Sequence, residues 1–249
     1  MNKKKYIVLS AVAVLTIAAI VFAIINKPHF DSGRLIKAIE NNDIKKVESL
    51  LEKGIDPNIP DAKASVLFTA VESSPDRPIN VACDIGNYKM VKLLIDYGAT
   101  VEYREGYGHS PLRQSLLCCR GEDSVKIVKL LIENGADVDL EEQDFLPVFQ
   151  AAWMAPSLPQ VDDGYNEEIA QYITEIVEII LEGKDVNIKT DSGKTLLMYA
   201  AWSGNLHLIE HLISKGCDLY AKDDNGQTAY DYAVKHNKSD AANLLEHRG

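Results

Sequence analysis

Asp191-Ser192-Gly193-Lys194-Thr195-Leu196-Leu197-Met198-Tyr199-Ala200-Ala201-Trp202-Ser203-Gly204-Asn205-Leu206-His207-Leu208-Ile209-Glu210-His211-Leu212-Ile213-Ser214-Lys215-Gly216 decides the fold. The Thr195 hydroxyl is placed to cap a short helix. Leu196, Leu197, Ala200 and Ala201 fall on one face of that helix, and the small alanines admit a close neighbour. Gly204-Asn205 makes a turn, both residues tolerating left-handed backbone. Leu208, Ile209, Leu212 and Ile213 form the apolar face of a second helix, which Gly216 stops as a left-handed cap. Cys217-Asp218-Leu219 then leads into a hairpin with Asp223-Asp224-Asn225-Gly226 at its tip.

The end of this unit recurs. An apolar helix end, one or two polar residues and a glycine close at Gly54, Gly98, Gly135, Gly183 and Gly216, at intervals of 44, 37, 48 and 33 residues. A repeat near 33 residues marks a solenoid in which each unit packs only on its neighbours. Such an array is one elongated domain, and it favours binding over catalysis.

The unit resembles the ankyrin repeat, whose pattern runs Asp-x-x-Gly-x-Thr-Pro-Leu-His-x-Ala-Ala-x-x-Gly-Asn and then a helix ending Leu-Leu-x-x-Gly-Ala-Asp. Pro78-Ile79-Asn80-Val81-Ala82-Cys83-Asp84-Ile85-Gly86-Asn87 repeats the first helix and turn, Ser110-Pro111-Leu112 the cap, and Gly98-Ala99-Thr100-Val101 and Gly135-Ala136-Asp137-Val138-Asp139 the exit. The resemblance implies an all-α ankyrin repeat solenoid over residues 31–249, of bacterial type, with about six helix-turn-helix units. The first, from Asp31 to Asn58, and the last, from Lys222 to Gly249, read as caps. Three middle units carry insertions. The fourth has about 16 extra residues near Met154 to Glu168, where two prolines and a glycine forbid helix. The third has about four near Cys119 to Asp123. The second has about eleven, and either Val66–Val71 or the segment from Pro78 forms its first helix. Loops added along one edge of a solenoid serve binding or are neutral drift at tolerant turns.

Ahead of the repeats, Lys3, Lys4 and Lys5 precede an uncharged stretch from Tyr6 to Ile25. As a helix it would span roughly 30 Å, the thickness of a bilayer core. Residues 1–27 are expected to form a retained signal-anchor, with a cleaved signal peptide ending near Val21-Phe22-Ala23 as the alternative. The lysines would stay cytoplasmic and the repeats would face the periplasm or exterior, against a sparser opposing set of Lys27, Arg34 and Lys37. Net charge is −11. That disfavours nucleic acid as a partner and fits either a basic protein partner or solubility alone.

No constellation for chemistry stands out, so the expectation is no enzyme, no cofactor, no metal and no small-molecule substrate. His207 and His211 share a helix face at i, i+4, but the His-Glu-x-x-His order is missing and His207 falls at an exposed repeat position. Cys83 and Cys217 occupy small core positions, while Cys118-Cys119 sits in an inserted turn where an exported domain could oxidise it, together or with Cys83. Glu141-Glu142-Gln143-Asp144, Asp162-Asp163 and Asp223-Asp224-Asn225 fall at loops or tips, lack calcium-loop spacing and read as solvated.

The ankyrin resemblance implies that partners touch the hairpin tips and the two residues after the Ala-Ala pair. The latter are Trp153 and Met154 in the fourth unit and Trp202 and Ser203 in the fifth; these hold the only two tryptophans. The tips are Tyr107 and His109; Glu142, Gln143 and Phe145; Asp191, Ser192 and Lys194; and Asp224, Asn225 and Gln227. Aromatic side chains among acids suit a binding hot spot on the concave face, and a purely structural cover for the fourth unit's loop is the competing reading. The function read from the chain is a membrane-tethered protein-binding module, an immunity or inhibitor protein being one specific form. The alternatives are an enzyme or enzyme subunit built on the inserted loops near 155–168 or 118–123, and a structural envelope scaffold.

Overall fold

In the first, second and fifth units the second helix starts at a polar side chain, Asp43, Asn87 or Asn205, that a tight turn delivers. The computed structural model describes residues 33–59, 77–102, 109–117, 121–140, 146–153 and 167–248. Within them lie twelve helices in six antiparallel pairs: α1 (33–40) and α2 (Ile44–Glu52); α3 (Pro78–Ile85) and α4 (Tyr88–Asp96); α5 (Pro111–Leu117) and α6 (Glu122–Glu133); α7 (Pro147–Trp153) and α8 (Glu167–Ile180); α9 (Leu196–Ser203) and α10 (Leu206–Ser214); α11 (Ala229–Lys235) and α12 (Ser239–Arg248). From the second unit on, first helices pack on first helices and second on second, giving two layers of a helical solenoid with one core running between them. Among the described residues extended pairing is limited to a single bridge, Lys189 with Thr195.

The second unit begins its first helix at Pro78, so the segment from Pro78 is the partner of α4. The expected Val66–Val71 helix lies outside the described residues, as do the inserted turn at 118–120 and the loop at 154–166. The N-terminal stretch to residue 32 lies outside them too, and with it the expected membrane helix. Among the described residues no helix is long and apolar enough to cross a membrane.

The core is built by the repeated apolar positions. Ile39, Leu50, Ile79, Leu94, Leu112, Leu131, Phe149, Ile176, Leu197 and Leu208 are all essentially buried. Full burial of such a side chain is worth about 1.5–3 kcal/mol. In α9 the single apolar face expected from the sequence is too narrow a description. Leu196, Leu197, Met198, Tyr199, Ala200, Ala201 and Ser203 are all buried, because α7, α10 and α11 each take a side of the helix.

Turns and caps follow the predicted chemistry with one adjustment. Gly86 and Gly204 end their helices at φ of 71° and 78°, in the left-handed region. The residue after each is extended, and its asparagine side chain caps the next helix: Asn87 Oδ1 accepts from Met90 N at 3.0 Å and Asn205 Oδ1 from Leu208 N at 2.9 Å. Thus Asn205 is a cap and not a left-handed residue. In the two terminal units asparagine replaces the glycine, Asn42 at φ 54° and Asn237 at φ 58°. Asn is the non-glycine residue that enters this region most readily.

The same polar side chains tie neighbouring units together. Asn205, completely buried, donates through Nδ2 to the Ala170 carbonyl of the preceding unit at 3.2 Å, and Asn87 donates to Asn42 Oδ1 at 2.6 Å. At the exits, Asn58 accepts from Thr100 N at 2.8 Å and donates to Gly98 O at 2.9 Å, while Asn187 accepts from Asp218 N at 2.8 Å. The equivalent residue in the third unit is Asp139, which instead pairs with Lys184. Arg77, buried, clamps the second unit's exit through Thr100 O and Glu102 O.

Asn205→Ala removes a cap and strands a buried carbonyl, so it is expected to cost about 2 kcal/mol, against roughly 1 kcal/mol for the more exposed Asn87→Ala. Urea midpoints of the two variants followed by circular dichroism check the order; an equal or reversed shift would contradict the tie to Ala170.

Candidate functional site

The residue that follows the Ala-Ala pair of the fourth and fifth units' first helices has an aligned counterpart in all six units. In chain order these residues are Glu40, Asp84, Leu117, Trp153, Trp202 and Lys235. None of the six is buried, although the residues just before them are: Ile39, Cys83, Leu116, Ala152 and Ala201 in the first five units. The row therefore forms an accessible stripe along the first-helix layer. It is acidic at one end, aromatic in the middle and basic at the other.

The aromatic middle is continuous across three units. Trp153 and Trp202 lie with ring centroids 6.2 Å apart, and Trp202 stacks on His236 at 4.6 Å. Beneath them Tyr199 lies 6.3 Å from Trp202, and Phe149 lies 5.4 Å from Tyr199. Tyr232 closes the group, 6.0 Å from Trp202. Phe149, Tyr199 and Tyr232 are buried, whereas Trp153, Trp202 and His236 are partly exposed. Both tryptophans are partly buried against the array and partly exposed, and the fourth unit's loop, which the structural reading has them cover, lies outside the described residues.

Lys194 reaches this group from the hairpin tip of the fifth unit. Its Nζ lies 6.0, 5.7 and 5.9 Å from the ring centroids of Tyr199, Trp202 and Tyr232. A cation held over aromatic faces gains about 0.5–1 kcal/mol at an exposed site. Lys235 lies 6.0 Å from the Tyr232 ring. Among the described residues the cations over these rings are thus Lys194 and Lys235, while the tip acids Asp191 and Asp224 are exposed.

The sixth tip is built around one acid. Asp223 is buried, contrary to the solvated reading of its run. Its carboxylate accepts from the amides of Asn225 at 3.0 Å and Gln227 at 2.8 Å and from the Tyr232 hydroxyl at 2.8 Å. Burial alone would raise its pKa; the Gln227 amide, the Tyr232 hydroxyl and the Asn225 amide outweigh that and hold it below the usual carboxylate range. Burial and the adjoining Asp223 charge raise the Tyr232 phenol. The tip packs on its neighbour, with Asp224 N donating to Ser192 O at 3.1 Å. A Cβ on Gly193, where φ is +73°, would sit 2.9 Å from Asp224 Oδ1. Asp191, Ser192, Lys194, Asp224, Asn225 and Gln227 are thus one joined surface beside Trp202.

The remaining expected contacts divide. His109 uses its carbonyl to accept from Asn80 Nδ2 at 2.6 Å. Tyr107, Glu142, Gln143, Phe145 and Met154 lie outside the described residues, as do Cys118 and Cys119 and the loops on which an enzymatic site was considered. Ser203 is buried, its hydroxyl donating to Ala200 O at 3.0 Å. His207 is partly buried rather than solvated, its Nε2 3.4 Å from Glu167, while His211 Nε2 lies 4.0 Å from Glu178. The two histidines thus address different carboxylates of α8. Cys83 is buried as expected; Cys217 is half-buried, and burial pushes its thiol up to about 11, the Asp218 charge adding to the effect. Tyr199, Tyr232 and His236 were not singled out in the sequence. Tyr199 and Tyr232 share a register position directly before the small pair, three residues ahead of Trp202 and Lys235, and that alignment was the available signal.

Comparison with known proteins places this geometry. The family model described as Ankyrin repeats (3 copies) matches residues 35–142 and 168–249. An ankyrin repeat protein of Rickettsia bellii (strain RML369-C) is 29% identical over 110 residues, covering 39% of this chain and 46% of that protein. Human SH3 and multiple ankyrin repeat domains protein 2 is 24% identical over 212 residues, 85% of this chain and 10% of that protein. The chain thus spans about half or less of the length of these curated relatives. A chain from the solved complex of the Bd0816 predatory endopeptidase of Bdellovibrio bacteriovorus with immunity protein Bd3460 superposes with a TM-score of 0.62 at 26% identity, over 87% of this chain and 98% of that one.

The stack on Trp202 makes stability depend on pH. Burial, then the charges of Lys235 and Lys238, lower the His236 pKa below 6.5. The unfolded chain therefore takes up its proton first on acidification. Stability is whole above pH 6.5 and falls as the pH drops through the lowered value. Urea midpoints of the protein and of His236→Phe at pH 7.5 and 5.5 test this, in a window above carboxylate titration. The wild type should lose more on acidification than the variant; equal losses would remove His236 as the cause.

Proposed function

We propose that this chain, which belongs to the ankyrin repeat family, is a protein-binding inhibitor of the immunity type, directed at a secreted or envelope endopeptidase. Ankyrin repeats mediate protein–protein interaction, and the solenoid here is held together by its own core, so its exposed stripe is available for a partner. The observation that carries the proposal is the superposition over 98% of a chain taken from an endopeptidase–immunity protein complex. The contact surface in this reading is the joined aromatic and tip surface of Trp153, Trp202, Lys194 and the tips at Asp191–Ser192 and Asp224–Asn225. Partly exposed tryptophans backed by rigid rings bind at low entropic cost. The apolar N-terminal stretch supports a further part of the proposal, that residues 1–27 tether the protein to the cytoplasmic membrane with the repeats in the periplasm or outside.

Affinity capture from membranes with the intact protein, followed by peptidase assay of the captured partner, tests this function. The partner should be silent in the complex and active after dissociation. A stable complex with full activity would point to a scaffold. Trp153→Ala/Trp202→Ala should weaken the captured partner's affinity by roughly 1,000-fold, given about 2 kcal/mol for each hot-spot aromatic. Undiminished recovery by a folded double variant would move the contact elsewhere. Digestion of a C-terminal tag in intact cells, compared with spheroplasts, tests the side of the membrane.

A further inference from the structure

The sign of charge reverses at the aromatic end of the stripe. Although the chain carries −11 overall, three lysines gather about the Trp202–His236 stack. Lys194 Nζ stands over the Tyr199, Trp202 and Tyr232 rings. Lys235 Nζ lies 6.0 Å from the Tyr232 centroid and 3.5 Å from Gln227 Oε1. Lys238 lays its stem along the turn at Gly204, where an added Cβ would meet its Cδ at 2.8 Å. The charges of Lys235 and Lys238 reach His236, whose pKa they hold down together with the larger effect of burial. Lys194 and Lys238 are half-buried and Lys235 is exposed.

Surface lysines carry no message where carboxylates neutralise them. Lys92, Lys126, Lys184 and Lys215 each have a carboxylate within ion-pair distance. Among the described residues Lys194, Lys235 and Lys238 have none. Two acids of the sixth unit are engaged by their own tip and helix. Asp223 accepts from Asn225, Gln227 and Tyr232, and Asp231 accepts from the Thr228 amide at 2.7 Å and hydroxyl at 2.8 Å. The patch thus joins uncompensated cations to the partly exposed indoles of Trp153 and Trp202. The rings flank the Lys194 ammonium, so less side-chain freedom remains to be lost when an anion meets it.

We propose that this patch receives an acidic segment of the protein partner, apolar side chains lying on Trp202 and Trp153 and carboxylates meeting Lys194 and Lys235. This rests on the protein-binding reading above and names the chemistry of the partner at its aromatic face. Net charge, read alone, favours a basic partner. Charge complementarity acts over about one Debye length, ~8 Å at physiological salt, so the groups within that reach decide the sign. Single-stranded nucleic acid uses the same mixture of rings and cations. A phosphate backbone, however, carries a charge at every nucleotide, and the exposed Asp191 and Asp224 on the adjoining tips would repel it. A partner with one or two carboxylates between apolar residues escapes that repulsion.

The test needs no partner. Indole-3-acetate, indole-3-acetamide and tryptamine present one ring with a negative, a neutral and a positive group. Each is titrated into the isotope-labelled full-length protein at pH 7.5 and about 150 mM salt, where surface charge is screened as in the cell. The chain has only two tryptophans, so their indole N–H signals in NMR report binding at this face. The acetate should shift the Trp202 signal in the millimolar range, with an affinity roughly threefold or more above the acetamide, and tryptamine should bind most weakly. Lys194→Gln/Lys235→Gln should bring the acetate down to the acetamide value while the acetamide still binds. Lys45→Gln/Lys53→Gln, which removes the same charge from exposed positions of the first unit, should keep the order. Equal affinities of acetate and acetamide, tighter binding of tryptamine, no shift of Trp202, or a preference that survives Lys194→Gln/Lys235→Gln would each overturn the assignment. Saturable binding of a thymidine octanucleotide at the same salt would overturn it in favour of nucleic acid. Absence of the sign preference leaves tryptophan-dependent capture standing, and capture that ignores the tryptophans leaves the measured preference standing, so the two failures are distinguishable.

Discussion

Asparagine side chains shared between neighbouring units align this array. A solenoid has no distant contacts to fix its shape, so each unit must be aligned by its neighbours alone. Apolar packing between helix layers supplies most of the stabilisation but is non-directional. The direction comes from side chains that act on two units at once. Asn205 caps its own helix at Leu208 and grips Ala170 of the unit before. Asn58 and Asn187 do the same for exits, reaching the backbone of the following unit. An amide can serve in both directions because it carries acceptor and donor together. Once these ties set the register, the aligned side chains from Glu40 to Lys235 fall in one line, and the exposed stripe is a consequence.

Much of this was legible in the chain. Gly204, Gly216, Thr195 and the spaced leucines specify helix, turn and cap through local backbone chemistry, and the structure reproduces them. The choice of Pro78 as the start of the second unit's first helix needed the three-dimensional pairing with α4, since Val66–Val71 carried the same local signal. Asp223 misled for a related reason. Its acidic neighbours suggested water, but its surroundings are set by Tyr232, nine residues on, which reaches back to it when the tip folds over α11. The tryptophans were found by position, while His236 and the buried tyrosines beneath them were not, because their partners lie in adjacent units.

The stripe also separates two kinds of recognition. Glu40 and Asp84 carry negative charge at one end, Trp153 and Trp202 offer rigid apolar area, and Lys194 and Lys235 carry positive charge among the rings. The overall charge of −11 conceals this arrangement, since its sign holds for the whole chain and fails locally at the aromatic patch. Net charge is an average, and a partner samples only the row it touches.

The exit tie between units three and four is ionic. There Asp139 stands where Asn58 and Asn187 stand elsewhere, and it is joined to Lys184 by charge, with the carboxylate largely exposed. Exposed ion pairs contribute little and are screened by salt, whereas amide ties are indifferent to it. This seam falls between the units that carry Glu40 and Asp84 and those that carry Trp153 and Trp202. Salt therefore acts at this seam on the exit tie alone, because the two helix layers pack across it as they do across the neighbouring seams.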